Sequence, residues 1–193
     1  MRAPTLALAL GGITVLLSGV ADAHFNLLRP WPALTTMDGG KGAPPCGEGD
    51  PSHVVTLVQG GHPLTVRLEE YLSHPGHYRI ALSVNSRAEL PPDPDVVTKN
   101  GRSVSAAIQT PPGIPVLADG EFVHTKLPNK QEWQTAVLVP NITCDRCTLQ
   151  VIEFMAEQGP DGDGYYHHHC ADLQITADPT LRPPDPAWTR LSK

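Results

Sequence analysis

Nine histidines stand in this 193-residue chain, and most fall into three groups whose spacing suits metal chemistry. The first is His24 alone, the second His74-Pro75-Gly76-His77, the third Tyr165-Tyr166-His167-His168-His169-Cys170. His24 takes its meaning from what precedes it. Arg2, an apolar stretch from Leu6 to Val20 and the small-residue exit Ala21-Asp22-Ala23 read as a secretory signal peptide over residues 1–23. Cleavage after Ala23 would leave His24 with a free α-amine. That amine and ring Nδ1 can chelate a metal together, and a second histidine completes a nearly planar three-nitrogen set that suits Cu(II). Position alone does not make His24 a ligand; the other two groups supply its partners.

Metal ligands need a rigid frame, and the rest of the chain describes one. Residues 24–180 are expected to form one domain with a real core, and 181–193, with Arg182-Pro183-Pro184-Asp185-Pro186, a Pro-rich flexible tail. No segment after the leader approaches the about 20 apolar residues of a membrane span, so the protein is expected to be soluble and exported, extracellular or periplasmic. Its formal net charge of −6 is unchanged by loss of the leader, which removes Arg2 and Asp22 together. A mildly acidic chain without a Lys/Arg run has no footprint for nucleic acid and no predisposition to anionic membranes. It is expected to act as a monomer.

Twenty-one prolines and 17 glycines cut the chain into short segments, several of them alternating or β-branched: Val54–Val58, Leu64–Glu69, Tyr78–Val84, Trp133–Val139, Thr148–Phe154 and Ala171–Thr176. In the second, Leu64, Val66 and Leu68 share a face. Short strands separated by turn residues predict an all-β antiparallel sandwich. The stretch 85–120 reads as a long irregular excursion with one short helix near Val104–Ile108. Alternation along a strand places His167 and His169 on one face and His168 on the other, so at most two of the three can face one metal. His53, His62 and His124 read as solvent-exposed.

An even cysteine count in an exported chain suggests two disulfides. Of the three possible pairings, the preferred one is a local Cys144–Cys147 bridge with a long-range Cys46–Cys170 bridge. Cys144-Asp145-Arg146-Cys147 also has two competing readings. A redox motif would need to open a helix in a thioredoxin-like unit, whereas a strand follows here. Half of a zinc site would need a second CxxC, and there is none.

These residues together resemble the lytic polysaccharide monooxygenase superfamily, in particular its bacterial monooxygenase-like branch. The matching features are His24-Phe25 at the start, Pro45-Cys46-Gly47, and His74-Pro75-Gly76-His77-Tyr78-Arg79-Ile80. Further along come Cys144-Asp145-Arg146-Cys147-Thr148-Leu149-Gln150-Val151 and the closing Tyr165-Tyr166-His167-His168-His169-Cys170-Ala171-Asp172. The likeness spans His24 to about Ile175, and its specificity lies in the order of these motifs. It implies an immunoglobulin/fibronectin-like sandwich with long loops, carrying one copper in a histidine brace. His24 would give two nitrogens and His74 the third, with His77 as the alternative. Counting back from Asp172 without a gap puts His167 at the axial position; an insertion in the histidine run puts Tyr165 or Tyr166 there instead. A histidine in that place would be a fourth nitrogen ligand, binding Cu(II) more firmly and closing a position that oxygen chemistry needs. One polar side chain of the Gln150/Glu153 strand would approach the metal from outside its ligand set, and Glu153 is preferred.

The implied activity is oxidative cleavage of glycosidic bonds in a polysaccharide, with peroxide or dioxygen as oxidant and an external electron donor. The alternative is a non-catalytic brace protein for copper acquisition or delivery outside the cytoplasm. A plain adhesion sandwich would explain the strands but not the histidines. Aromatic residues are only 5% of the chain and none lies in 85–120, which disfavours crystalline chitin or cellulose and leaves soluble or decorated glycans.

Overall fold

The computed structural model describes residues 24–35, 43–159, 164–183 and 186–190; the expected signal peptide lies outside them. Ten strands follow in chain order: His24–Arg29 (β1), Val55–Gln59 (β2), Pro63–Leu72 (β3), Gly76–Ser83 (β4), Val96–Lys99 (β5), Arg102–Ala106 (β6), Val116–His124 (β7), Gln131–Leu138 (β8), Cys144–Met155 (β9) and Tyr166–Thr176 (β10). A three-stranded sheet, β1-β3-β8, packs on a five-stranded sheet, β2-β10-β9-β4-β7, so the protein is an all-β sandwich. Every pairing within these two sheets is antiparallel except β2 with β10, which run parallel.

Side-chain alternation sets which residues meet between the sheets. Val66 and Leu68 point inward from β3, Phe25 and Leu27 from β1, and they meet Tyr78, Ile80 and Leu82 of β4 and Leu149 and Val151 of β9. Each fully buried aliphatic or aromatic side chain contributes roughly 1.5–3 kcal/mol, and this layer is the main source of the fold's stability. The opposite face of the larger sheet is covered too. Ile152, Phe154 and Tyr166 point that way and pack against Val96 and Ala106.

Those last two residues belong to a β5–β6 hairpin inside the stretch expected to be irregular. Its turn is Asn100-Gly101, with φ of 52° and 74°, the two positive values a tight two-residue hairpin turn requires. The short helix expected at Val104–Ile108 is therefore a strand as far as Ala106, paired to Val96. The buried Ser103 hydroxyl donates to the Met155 carbonyl at 2.7 Å and ties the hairpin to the end of β9.

Cys46 pairs with Cys170 across 124 residues, and Cys144 pairs with Cys147. The preferred pairing is the one present, and the CxxC opens strand β9 rather than a helix. The long bridge fastens the segment after β1 to the middle of β10. Within the expected tail, Pro186–Arg190 forms a short helix (α1) whose Trp188 is 7% exposed and joins the main core. An indole is large enough to hold a short Pro-flanked segment against the sandwich. No helix among the described residues is long and apolar enough to cross a membrane.

Candidate metal centre

The β1–β3 register brings the first two histidine groups to one end of the sandwich. His24 pairs with Leu72 and Phe25 with Glu70, with an irregularity between them. His74 follows Leu72 by two residues, in the turn that leads into β4. The side chain of His24 lies outside the described part of the molecule, so its placement rests on the strand alone.

His74 is 9% exposed and is held from two sides. Its backbone N–H donates to Glu70 Oε1 at 3.1 Å. The side-chain amide nitrogen of Gln158 lies 3.0 Å from its Nδ1 and 3.3 Å from its Nε2, so this amide can donate to whichever ring nitrogen carries the lone pair. The Pro75 carbonyl accepts from the Ala156 N–H at 2.7 Å. Gly76 completes the turn by passing close to the β9 backbone at Phe154.

Next to this turn, the inner face of the large sheet carries a polar row. Tyr78, Glu153 and His167 are cross-strand neighbours on β4, β9 and β10. Glu153 is 0% exposed, and neither its carboxyl oxygens nor the buried Tyr78 hydroxyl makes a hydrogen bond of normal geometry. Burial pushes the Glu153 carboxyl well above the usual carboxylate range, and the charge of Glu70 adds to this. Burial also pushes the Tyr78 phenol up, reinforced by the charges of Glu153 and Glu70. Glu153 therefore favours its protonated form. His169, two residues along the same face, donates from Nε2 to the Phe25 carbonyl at 2.9 Å and packs on the Phe25 ring. Burial lowers its pKa to about 4 against the raising effect of that bond, so it is neutral and serves to hold β1 against β10.

Facing this row from β3 is Glu70, which takes donors from several elements. His124 Nε2 lies 3.2 Å from Oε1, and Trp133 Nε1 donates to Oε2 at 3.0 Å. Burial alone would raise Glu70, but the bonds from His124 and Trp133 outweigh it and hold the carboxyl below its ordinary range. Burial would likewise lower His124, yet its bonds to Glu70 and to the Phe122 carbonyl raise it. Both ring nitrogens of His124 face acceptors, at 3.2 and 2.6 Å, and only a doubly protonated imidazolium satisfies both. Glu70 and His124 thus form a buried ion pair.

The other sequence candidates sit elsewhere. His77 alternates with Tyr78 along β4, so it lies on the outer face, packed against Phe154. Burial lowers its pKa. Tyr166 is also on the outer face, its hydroxyl donating to the Pro94 carbonyl at 2.9 Å. Tyr165 is half-buried beside the same outer cluster. His168 binds Asp93 there at 2.8 Å, so the histidine run alternates as read from the sequence. Gln150 also faces outward and donates to the Pro45 carbonyl at 2.8 Å, leaving Glu153 as the inward polar group of β9.

Local pattern predicts His124 at the surface, whereas its side chain is 4% exposed. The reason is β7, a strand that local pattern does not reveal. Nor does local pattern mark Glu70 or Trp133 as functional. A signal for Glu70 exists: the alternation through Leu64, Val66 and Leu68 reaches Glu70 one step on, placing a carboxylate at an inward position.

The fold and this end of it define a class, an all-β sandwich with histidines and buried carboxyls gathered where its first strand begins. Among the described residues no three His, Cys, Asp or Glu side chains converge as a metal-holding group. No protein-family model matches the chain, and no curated protein matches it.

Proposed function

We propose that this is an exported copper protein similar to the lytic polysaccharide monooxygenases, holding one copper through the α-amine and Nδ1 of His24 and the imidazole of His74. The observation that carries the reading is the pairing of His24 with Leu72, two residues before His74. His77 faces the other side of its sheet, which favours His74 as the second histidine. The donor set is chemically right for copper, being neutral nitrogens, and the polar row of Tyr78, Glu153 and His167 lies buried on the inner face of the same sandwich. Two disulfides fit an oxidising compartment.

When bound, copper supplies the one-electron chemistry that activates peroxide or dioxygen against a strong C–H bond of a soluble or decorated glycan. The chain's own residues do the rest. The Gln158 side-chain amide lies against the His74 ring; with copper on one ring nitrogen, the N–H of the other would need the amide oxygen, not its nitrogen, as partner. His169 pins the β1 backbone one residue after His24. Glu153, whose burial favours its protonated form, is a carboxyl group on the inner face that could hold a proton.

One observation favours a second reading, copper acquisition or delivery without oxidation. His167 shares the inner row with Glu153 while Tyr166 faces away, so the axial candidate on this face is a nitrogen donor. Copper-loaded protein incubated with ascorbate and a panel of soluble glycans separates the readings: oxidised oligosaccharides support the first, and bound copper without products supports the second.

The copper reading itself is tested by two variants. His74→Ala is expected to weaken Cu(II) binding by more than about 100-fold, beyond the loss caused by removing an outer partner of a ligand. His77→Ala is expected to leave it within a few-fold. Calorimetric titration measures both, and the reverse order would reject His74.

A further inference from the structure

Glu70 stands where the two halves of the proposed copper site meet. On β3 it is the cross-strand partner of Phe25, the residue after His24. Through Oε1 it accepts the backbone N–H of His74 at 3.1 Å. Its remaining partners come from two other strands, His124 of β7 at 3.2 Å and Trp133 of β8 at 3.0 Å. The side chain is 0% exposed. A carboxylate so held has one position, and so does the backbone it grips.

We propose that Glu70 is a positioning residue of the metal centre, fixing the His74 backbone at a set distance from the strand end that carries His24. The inference rests on the copper reading above. Its chemistry requires a carboxylate. All three partners are donors, and an ionised carboxylate is acceptor-only, with about four lone-pair sites on two oxygens. A glutamine of the same shape has one acceptor oxygen and one donor nitrogen, so it must turn a donor toward a donor, at either Trp133 or His74. The imidazolium of His124 supplies the positive charge that keeps the buried carboxylate ionised. His124 spends its other N–H on the Phe122 carbonyl, so it has none left for another acceptor.

A purely structural role would look different in experiment. Glu70→Gln is expected to weaken Cu(II) by about 10–100-fold, the usual effect of losing an outer partner of a ligand, and to shift the copper hyperfine splitting in the electron paramagnetic resonance spectrum. Trp133→Phe removes a donor from Oε2 but leaves the contact with His74. It is expected to lower thermal stability and to change affinity and spectrum less than Glu70→Gln does, because both contacts to Oε1 remain. Glu70→Gln with wild-type affinity and spectrum overturns the inference, as do equal spectral shifts in the two variants. Hydrogen exchange on the metal-free wild type carries the test if Glu70→Gln does not fold. The His74 amide should exchange far more slowly than exposed amides in neighbouring loops, and free exchange there overturns the inference. Wild-type protein that takes up no copper overturns the copper reading and this inference with it, whereas binding that is indifferent to Glu70 overturns this inference alone.

Discussion

Gly76→Ala is expected to destabilise the metal-free protein by about 3 kcal/mol, the upper end of ordinary overpacking, and to lower its melting temperature by roughly 6–12 °C. A Cβ built at Gly76 would lie 3.2 Å from the Phe154 carbonyl carbon and closer still to its oxygen. That oxygen is backbone in the middle of the larger sheet. Gly76 pairs with Met155 on one side and His124 on the other, so the strand cannot back away without breaking a ladder. The damage would fall on the turn that holds His74, and copper affinity should drop with it. Gly101→Ala is the control. Gly101 has nothing within 4 Å of an added Cβ but a φ of +74°, so only backbone strain is expected, about 1–2 kcal/mol. Thermal unfolding followed by circular dichroism measures both. Equal melting temperatures for Gly76→Ala and wild type would mean that β4 and β9 are not this close.

Glu153→Gln is expected to stabilise the metal-free protein increasingly as pH rises. The Glu153 carboxyl titrates well above the usual range in the folded state because it is buried beside ionised Glu70, and at about 4.3 when unfolded. Below that unfolded value both states hold the proton, and Glu153 costs the fold nothing through ionisation. Above it the unfolded chain releases the proton while the folded chain retains it. The unfolded state then gains by up to about 1.4 kcal/mol per pH unit until the folded group titrates. Glutamine has the same shape and no proton to lose. Urea unfolding at pH 4, 6 and 8 should show the variant close to wild type at pH 4 and progressively more stable above it. A constant offset, or a wild type that gains on the variant with rising pH, would show that Glu153 is ionised in the fold.

Much of the frame is legible in the sequence because it depends on local alternation. Leu64, Val66 and Leu68 mark β3, Tyr78–Val84 marks β4, and Thr148–Phe154 marks β9. Alternation alone puts His167 and His169 on one face of their strand and His168 on the other, and the sheet turns the first two inward. The cysteine pairing preferred from the sequence, Cys144 with Cys147 and Cys46 with Cys170, is the one the structure contains. What escapes is non-local. β7 contains Asp119, Gly120 and Glu121, and Gly120 and Phe122 both have positive φ, so it lacks the regular period of a strand. Without β7, His124 looks like a surface residue. The parallel pairing of β2 with β10 joins segments more than a hundred residues apart, and no local period encodes it. Glu70 escapes for another reason: a carboxylate at an inward position is read as an exposed one until the donors that surround it are known.

A copper held through the free amine of His24 would depend on where the mature chain begins. Cu(II) titrated calorimetrically into protein beginning at His24, and into the same protein with one extra Met before His24, tests it most directly. The brace predicts tight one-to-one binding for the first and affinity weaker by more than about 100-fold for the second, since a chelating amine is lost rather than an outer partner. Equal affinities for the two proteins would contradict the brace.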